Sequence, residues 1–154
     1  MTDRTIREED RAPRVSLDQA LEAVTRGEPD WTQARAQILR IENRFASISR
    51  PIRPTELNPG GTVSGPTLFW MCDAVLFVAT LASRGESARS AATVSMTINF
   101  VRAAAPSAIQ ADCRIVRSGK RLIVGEVRVF PADRPDWIIA NATGIFSARA
   151  QSIS

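Results

Sequence analysis

The 154-residue chain contains no histidine and no tyrosine, and only two cysteines. The missing histidine excludes Ser-His-Asp and Cys-His catalysis, His-Glu-x-x-His zinc sites and any imidazole general base. A reactive group must then be an Asp, Glu, Lys, Cys, Ser or Thr. Cys72 and Cys113 lie far apart and form no Cys-x-x-Cys pair, so no secreted disulfide scaffold is indicated and no metal site is expected. Aromatics make up 6% of the chain, and a net charge of +4 is too small for the dense basic stripe that nucleic acid requires. The first residues, MTDRTIREEDRAPR, are charged throughout and hold no apolar segment, which argues against a signal peptide and for a cytoplasmic protein.

What is present is a soluble globular composition, 44% hydrophobic and 23% charged. Residues 1–57 carry ten arginines and ten acids, whereas residues 58–154 carry ten basic groups against six acids. The whole positive surplus therefore lies in the second part, where it suits a small anionic ligand. The length fits one domain.

Residues 1–15 read as a mobile polar tail, and residues 16–149 as the domain with a helical extension at its start. Ser16 is placed to cap a short helix that sets Leu17, Leu21 and Val24 on one side and stops at Gly27. A helical turn follows over Trp31–Ala36. Two strands are predicted at Ile38–Ile41 and Arg44–Ile52, turning at Glu42-Asn43, before a turn-rich loop over residues 55–66. The period-two run Thr93–Phe100 predicts a strand. Ile109–Arg117 and Leu122–Phe130 flank a Ser-Gly-Lys hairpin signal, and Trp137–Ser147 makes a last strand.

Between loop and strands stands TVSGPTLFWMCDAVLFVATLAS, residues 62–83, with Asp73 its sole charge. Gly65-Pro66 suits a helix start and Gly85 a stop. Apolar groups fall on every side, so the helix should be buried all round. The stretch is long enough for a bilayer, but Asp73 near the midplane would cost roughly 3 kcal/mol, and the flanking strands have the pattern of a soluble domain. No membrane is expected. One long apolar helix followed by antiparallel strands predicts an α+β hotdog fold, a curved antiparallel sheet wrapped around a central helix.

Asp73 is the leading candidate for chemistry, because a lone carboxylate in an apolar helix is costly unless hydrogen-bonded or open to a cleft. The bland reading is a structural tie to a neighbouring loop. Cys72, about 100° round the helix from Asp73, lacks an electropositive partner and reads as core. The loop Asn58–Gly65 delivers unpaired N–H groups and the positive end of a helix dipole, which suits a developing oxyanion.

The run N-P-G-G-T-V-S-G-P, Asn58 to Pro66, with Asp73 fifteen positions after Asn58, resembles the signature of PaaI-like hotdog thioesterases, Asn-x-x-Gly-x-x-His-Gly-Gly followed by a helical Asp. T-V-S-M-T-I-N-F-V-R-A-A, S-G-K-R-L-I-V-G-E-V and N-A-T-G-I-F-S resemble the family's later strands, so the likeness spans roughly residues 38–148. The resemblance implies an acyl-CoA or aryl-CoA thioesterase that needs no cofactor and works as a homodimer or dimer of dimers. By the same likeness Asp73 would be the nucleophile or general base, the Gly65 N–H would hold the thioester oxygen, and Asn58 would orient water or the carbonyl. Thr93 would help place water. Lys120 and Arg121, and more weakly Arg102, would meet the CoA phosphates. Ser64 stands where the family has histidine and Pro66 where it has glycine, and Ser64 would then border the substrate. The absent histidine also argues against the hotdog dehydratases. The alternative on the same fold is a non-catalytic acyl-CoA binder. An apolar cavity including Phe69, Trp70 and Phe77 is expected.

Overall fold

A computed structural model describes residues 8–28 and 30–148. Two helices lead the chain, α1 (Glu8–Arg11) and α2 (Leu17–Gly27), followed by strands β1 (Gln37–Glu42) and β2 (Phe45–Pro51). The long helix α3 (Gly65–Arg84) comes next, then β3 (Ala92–Phe100), β4 (Ala108–Ser118), β5 (Leu122–Pro131) and β6 (Ala140–Ser147). The strands form one antiparallel sheet in the order β1-β2-β4-β5-β6-β3. Helix α3 touches every one of them. This is the α+β hotdog arrangement, with the core between the helix and the concave face of the sheet.

The alternation of small and branched residues explains the sheet. Along β4 and β5 the side chains of Ile109, Ala111, Cys113, Ile115, Ile123, Val127 and Val129 turn inward and are buried. Helix α3 starts at a Ser64 cap and stops where Gly85 takes φ +80°, a left-handed conformation that glycine adopts without strain. An 18-residue window of α3 is apolar enough for a bilayer, but 72% of it is buried inside the domain. Most of its apolar surface is core.

Several boundaries differ from the sequence expectation. Within the tail expected over residues 1–15, residues 8–11 form the short helix α1, while residues 1–7 lie outside the described residues. Asn43 N–H donates to the Arg11 carbonyl at 2.7 Å, Arg14 N–H to the Ala82 carbonyl at 2.8 Å, and Val15 is buried. Ser16 does cap α2, exchanging hydrogen bonds with Gln19. However, the buried stripe of α2 is Ala20, Ala23 and Val24, while Leu17 and Leu21 face solvent. Alanines there let α2 lie close on the domain. The first hairpin turns at Asn43-Arg44, one residue later than expected, with Arg44 in the left-handed region at φ +65°. The last strand begins at Ala140, three residues later than expected.

The largest departure concerns α3 itself, which is not buried all round. Pro66 and Phe69 are exposed, and Trp70 and Asp73 are half-buried. Spaced i, i+3, i+4 and i+7, they form a single stripe.

Candidate active site

The loop before α3 is built by its own side chains. Asn58 N–H donates to the Thr62 carbonyl (2.8 Å) and Gly61 N–H to the Asn58 carbonyl (2.9 Å). The Asn58 amide donates to Thr62 Oγ1 and accepts from Thr62 N–H. Asn58 is thus an exposed turn-former, and its own chain does not bring it into the cavity described below. Val63 N–H donates to the Ala104 carbonyl and Ser64 N–H to the Glu56 carbonyl, which dock the loop. Behind it Arg50 is buried, ion-paired with Glu56, and stacked 5.0 Å from the Trp70 ring centroid. Burial pushes the Glu56 carboxyl up, but hydrogen bonds from Arg53 and Arg50 outweigh this and hold it below the usual carboxylate range.

Ser64 spends its hydroxyl on the helix start, bonding Thr67 Oγ1 at 2.9 Å and accepting from Thr67 N–H at 3.4 Å. Gly65 is the first helical residue, so its N–H has no intrahelical acceptor and lies at the positive end of the dipole. The Phe100 ring lies against Gly65, so close that a Cβ there would sit 3.3 Å from Phe100 Cζ. A cavity of about 690 Å3 opens here, lined by Gly65, Pro66, Phe69, Trp70, Asp73 and Phe100. Three of these residues are aromatic, and the Asp73 carboxylate is the one charged group among them. Phe77, expected in the lining, is instead buried against Phe146, with ring centroids 6.5 Å apart.

Asp73 is held in place by Thr93, whose hydroxyl donates to Asp73 Oδ1 at 2.7 Å. A bulge between Thr93 and Ser95 breaks the β3–β6 register and turns Thr93 toward the helix. Among the described residues no other hydrogen bond reaches Asp73, so Oδ2 is left for a ligand. The neighbouring Cys72 thiol is fully buried, and burial together with the Asp73 charge pushes it up to about 12. It stays protonated and serves the core.

Lys120 and Arg121 are exposed at the β4–β5 hairpin tip. Registers Thr93↔Phe146 and Ile123↔Phe146 put that tip at the same end of the sheet as Thr93. Arg102 follows the opposite end of β3, roughly 30 Å of strand away. It is tied to the Ile138 carbonyl at 2.8 Å and stacked on Trp137. The three cations therefore do not form one cluster. A second concavity of about 390 Å3, at the C-terminal end of α3, is lined by Arg14, Asn43, Arg44, Ser83, Arg84, Ser87 and Ser118 and holds no carboxylate.

One acid beside the site was not singled out from the sequence. Glu28, just past the end of α2, is half-buried, and burial, then the charges of Asp73 and Asp30, push its carboxyl up to about 7. No local pattern signals it, because only the docking of α2 on α3 brings it there. A carboxyl raised in the folded state stabilises the fold fully below the ordinary carboxylate range, and that stability is lost as pH rises through about 7. Solvent screens half-exposed Glu28, so Glu28→Gln is expected to raise Tm by about 2–4 °C at pH 8 and leave it unchanged at pH 4. Thermal unfolding at the two pH values checks this.

Comparison with known proteins places these features in a family. The family model of the thioesterase superfamily matches residues 60–138. No curated protein matches the chain by sequence. Among solved structures, a conserved protein from Pseudomonas aeruginosa is 24% identical, with a TM-score of 0.68 over 76% of this chain and 90% of the other. The E. coli PaaI protein from the phenylacetic acid degradation operon is 17% identical, with a TM-score of 0.72 over 85% of this chain and 91% of its own. A hypothetical thioesterase from Streptococcus pneumoniae, solved with coenzyme A, is 14% identical, with a TM-score of 0.69 over 88% and 98%.

Proposed function

The chain belongs to the thioesterase superfamily, and from that premise we propose that it hydrolyses an acyl-CoA or aryl-CoA thioester in the cavity beside Asp73. One observation carries this reading: a single hydroxyl-anchored carboxylate stands in the wall of an otherwise apolar cavity, beside the free N–H of a helix start.

The acyl group enters among Phe69, Trp70 and Phe100. Its carbonyl oxygen lies toward the Gly65 N–H, where the helix dipole stabilises the charge that develops on attack. Thr93 fixes Oδ1 of Asp73, and Oδ2 removes a proton from water as the water oxygen attacks the carbonyl carbon. The C–S bond then breaks and its electron pair leaves with the sulfur. Thiolate is a good leaving group, so a carboxylate and an aimed N–H suffice without metal or cofactor. Lys120 and Arg121, at the Thr93 end of the sheet, meet the CoA phosphates. The CoA-bound Streptococcus pneumoniae structure supports that choice of thiol.

The protein acts as a homodimer. Strand β3 ends the sheet with its residues exposed or half-exposed along its length, including Val94 at 57% and Phe100 at 56%. Pairing with a second copy removes that open edge. It also lets Asn58, turned out at its loop tip, reach the partner's cavity.

The test is free-thiol release from a panel of short-chain, long-chain and aryl CoA thioesters. Cys72 and Cys113 are both buried, so the protein adds little thiol signal of its own. Release is expected from at least one class. Thermal stabilisation by intact thioesters without release from any would instead support the binder, and neither effect would end both readings.

A further inference from the structure

Arg50 carries a full charge into the interior. It sits on β2 with 3% of its surface exposed, and its guanidinium lies 5.0 Å from the centroid of the Trp70 ring. A second neighbour of that ring is Trp31, itself buried, with centroids 6.0 Å apart and planes inclined by 41°. Trp70 is thus held by two partners, and the part of it left open lines the cavity.

Glu56 holds the guanidinium in turn. Its carboxylate is ion-paired with Arg50 and accepts two hydrogen bonds from Arg53, one from the main-chain N–H and one from the side chain, both at 2.9 Å. Its main-chain carbonyl accepts the Ser64 N–H at 2.8 Å, one residue before Gly65. Arg53 also donates to the Gln33 carbonyl at 3.4 Å, in the turn that carries Trp31. The contacts close a ring, from Glu56 to Arg50, Trp70 and Trp31, and back through Gln33 and Arg53. Glu56 therefore ties the helix start, whose N–H faces the thioester, to the aromatic wall that receives the acyl group.

A buried ion pair is a weak source of stability, because apolar groups of equal volume often serve as well. What arginine adds is a flat, permanently charged surface that can stack on an indole and bond a carboxylate at the same time. An indole held in this way keeps one orientation. Released, it can turn about its side-chain torsions, and the width of the cavity changes with it.

We propose that Arg50 is a positioning residue for acyl selectivity: by holding Trp70 it sets the size of acyl group that the cavity accepts, with Glu56 as its anchor. The inference rests on the hydrolase reading above and alters none of its chemical steps. Arg50 is not among the residues that line the cavity, so its effect on selectivity passes through Trp70.

The experiment measures kcat/KM over a series of CoA thioesters graded in acyl bulk, for wild type, Arg50→Lys, Trp70→Leu and the double variant. Lysine keeps a charge opposite Glu56 but has no flat surface to lay on the indole. The preference for the best thioester over the next bulkier one is expected to fall about tenfold in Arg50→Lys, the scale of a methylene in an apolar pocket, and through KM more than kcat. Trp70→Leu should lower the preference likewise, and adding Arg50→Lys to it should lower it no further. A merely structural ion pair would change Tm and leave the preference where it was. Glu56→Gln keeps the main-chain bond to Ser64 but loosens Arg50, so it should shift the preference in the same direction, and it decides by the same criterion if Arg50→Lys does not fold. With the wild type active, an unchanged preference in the folded variant, or an equal shift with and without Trp70, overturns this inference alone. A wild type inactive on every thioester overturns the hydrolase reading and this inference with it.

Discussion

Replacement of Asp73 by Asn is expected to lower kcat for CoA-thioester hydrolysis at least a hundredfold, the usual scale for a general base, and to leave the protein folded. Asparagine has the shape of aspartate, and its amide oxygen still accepts the hydrogen bond that Thr93 donates at 2.7 Å. What it lacks is an oxygen able to remove a proton from water. Thr93→Val keeps the base but frees its orientation, so a smaller loss, about tenfold, is expected. The pair of variants separates chemistry from anchoring, because the asparagine keeps the anchor and the valine keeps the charge. Steady-state kcat, with thermal unfolding to verify the fold, checks both. Loss in Thr93→Val with none in Asp73→Asn would mean that Asp73 matters only as a tie to β3.

The second large effect concerns Leu76, one turn beyond Asp73 on α3. Leu76 is fully buried in a notch between Gly125 and Gly144, which face each other across β5 and β6. A Cβ on Gly125 would come 2.4 Å from Leu76 Cδ1, and one on Gly144 2.4 Å from Leu76 Cδ2. The strands carry glycine there because the leucine takes up the space. Leu76→Ala is expected to cost about 3–5 kcal/mol, the transfer of the lost atoms plus the cavity they leave. Gly144→Ala overfills the same notch and is expected to cost about 1–3 kcal/mol. The double variant should be less destabilised than the sum, since each change removes the other's fault. Urea denaturation of the four proteins measures the coupling. Additive losses would show that helix and sheet do not meet at this point.

The fold was legible because the elements that define it have strong local patterns. The apolar run over 62–83, with glycines near both ends, marked α3 without ambiguity, and alternation marked the strands. What was not legible depends on how elements dock. Leu17, Leu21 and Val24 were read as one side of α2, yet only Val24 of the three is buried, together with the small Ala20 and Ala23, because close approach to the domain outweighs the burial of two leucines. Phe77 looked like cavity wall and is core, since Phe146 reaches it from β6. A helix apolar on every side gave no sign that its Pro66–Asp73 stripe would stay partly open within the single chain.

The site divides along the same line. Asp73 stood out as the single charge in residues 62–83, and Thr93 came from the family likeness. The structure brings the two together through a β-bulge that no residue pattern announced. Gly65 lies at the helix start as expected from Gly-Pro. Asn58 and Ser64 have local duties, one closing its loop and the other capping α3. Glu28 could not be found at all from the sequence, because only tertiary packing brings it to Asp73.

Binding and turnover measured side by side probe the central idea most directly. A single CoA thioester, chosen as the fastest substrate, is given to the wild type and to Asp73→Asn; thermal shift reports binding and free thiol reports cleavage. The account predicts that both proteins are stabilised by the thioester and that only the wild type releases CoA at an appreciable rate. CoA released equally fast by both proteins would contradict it.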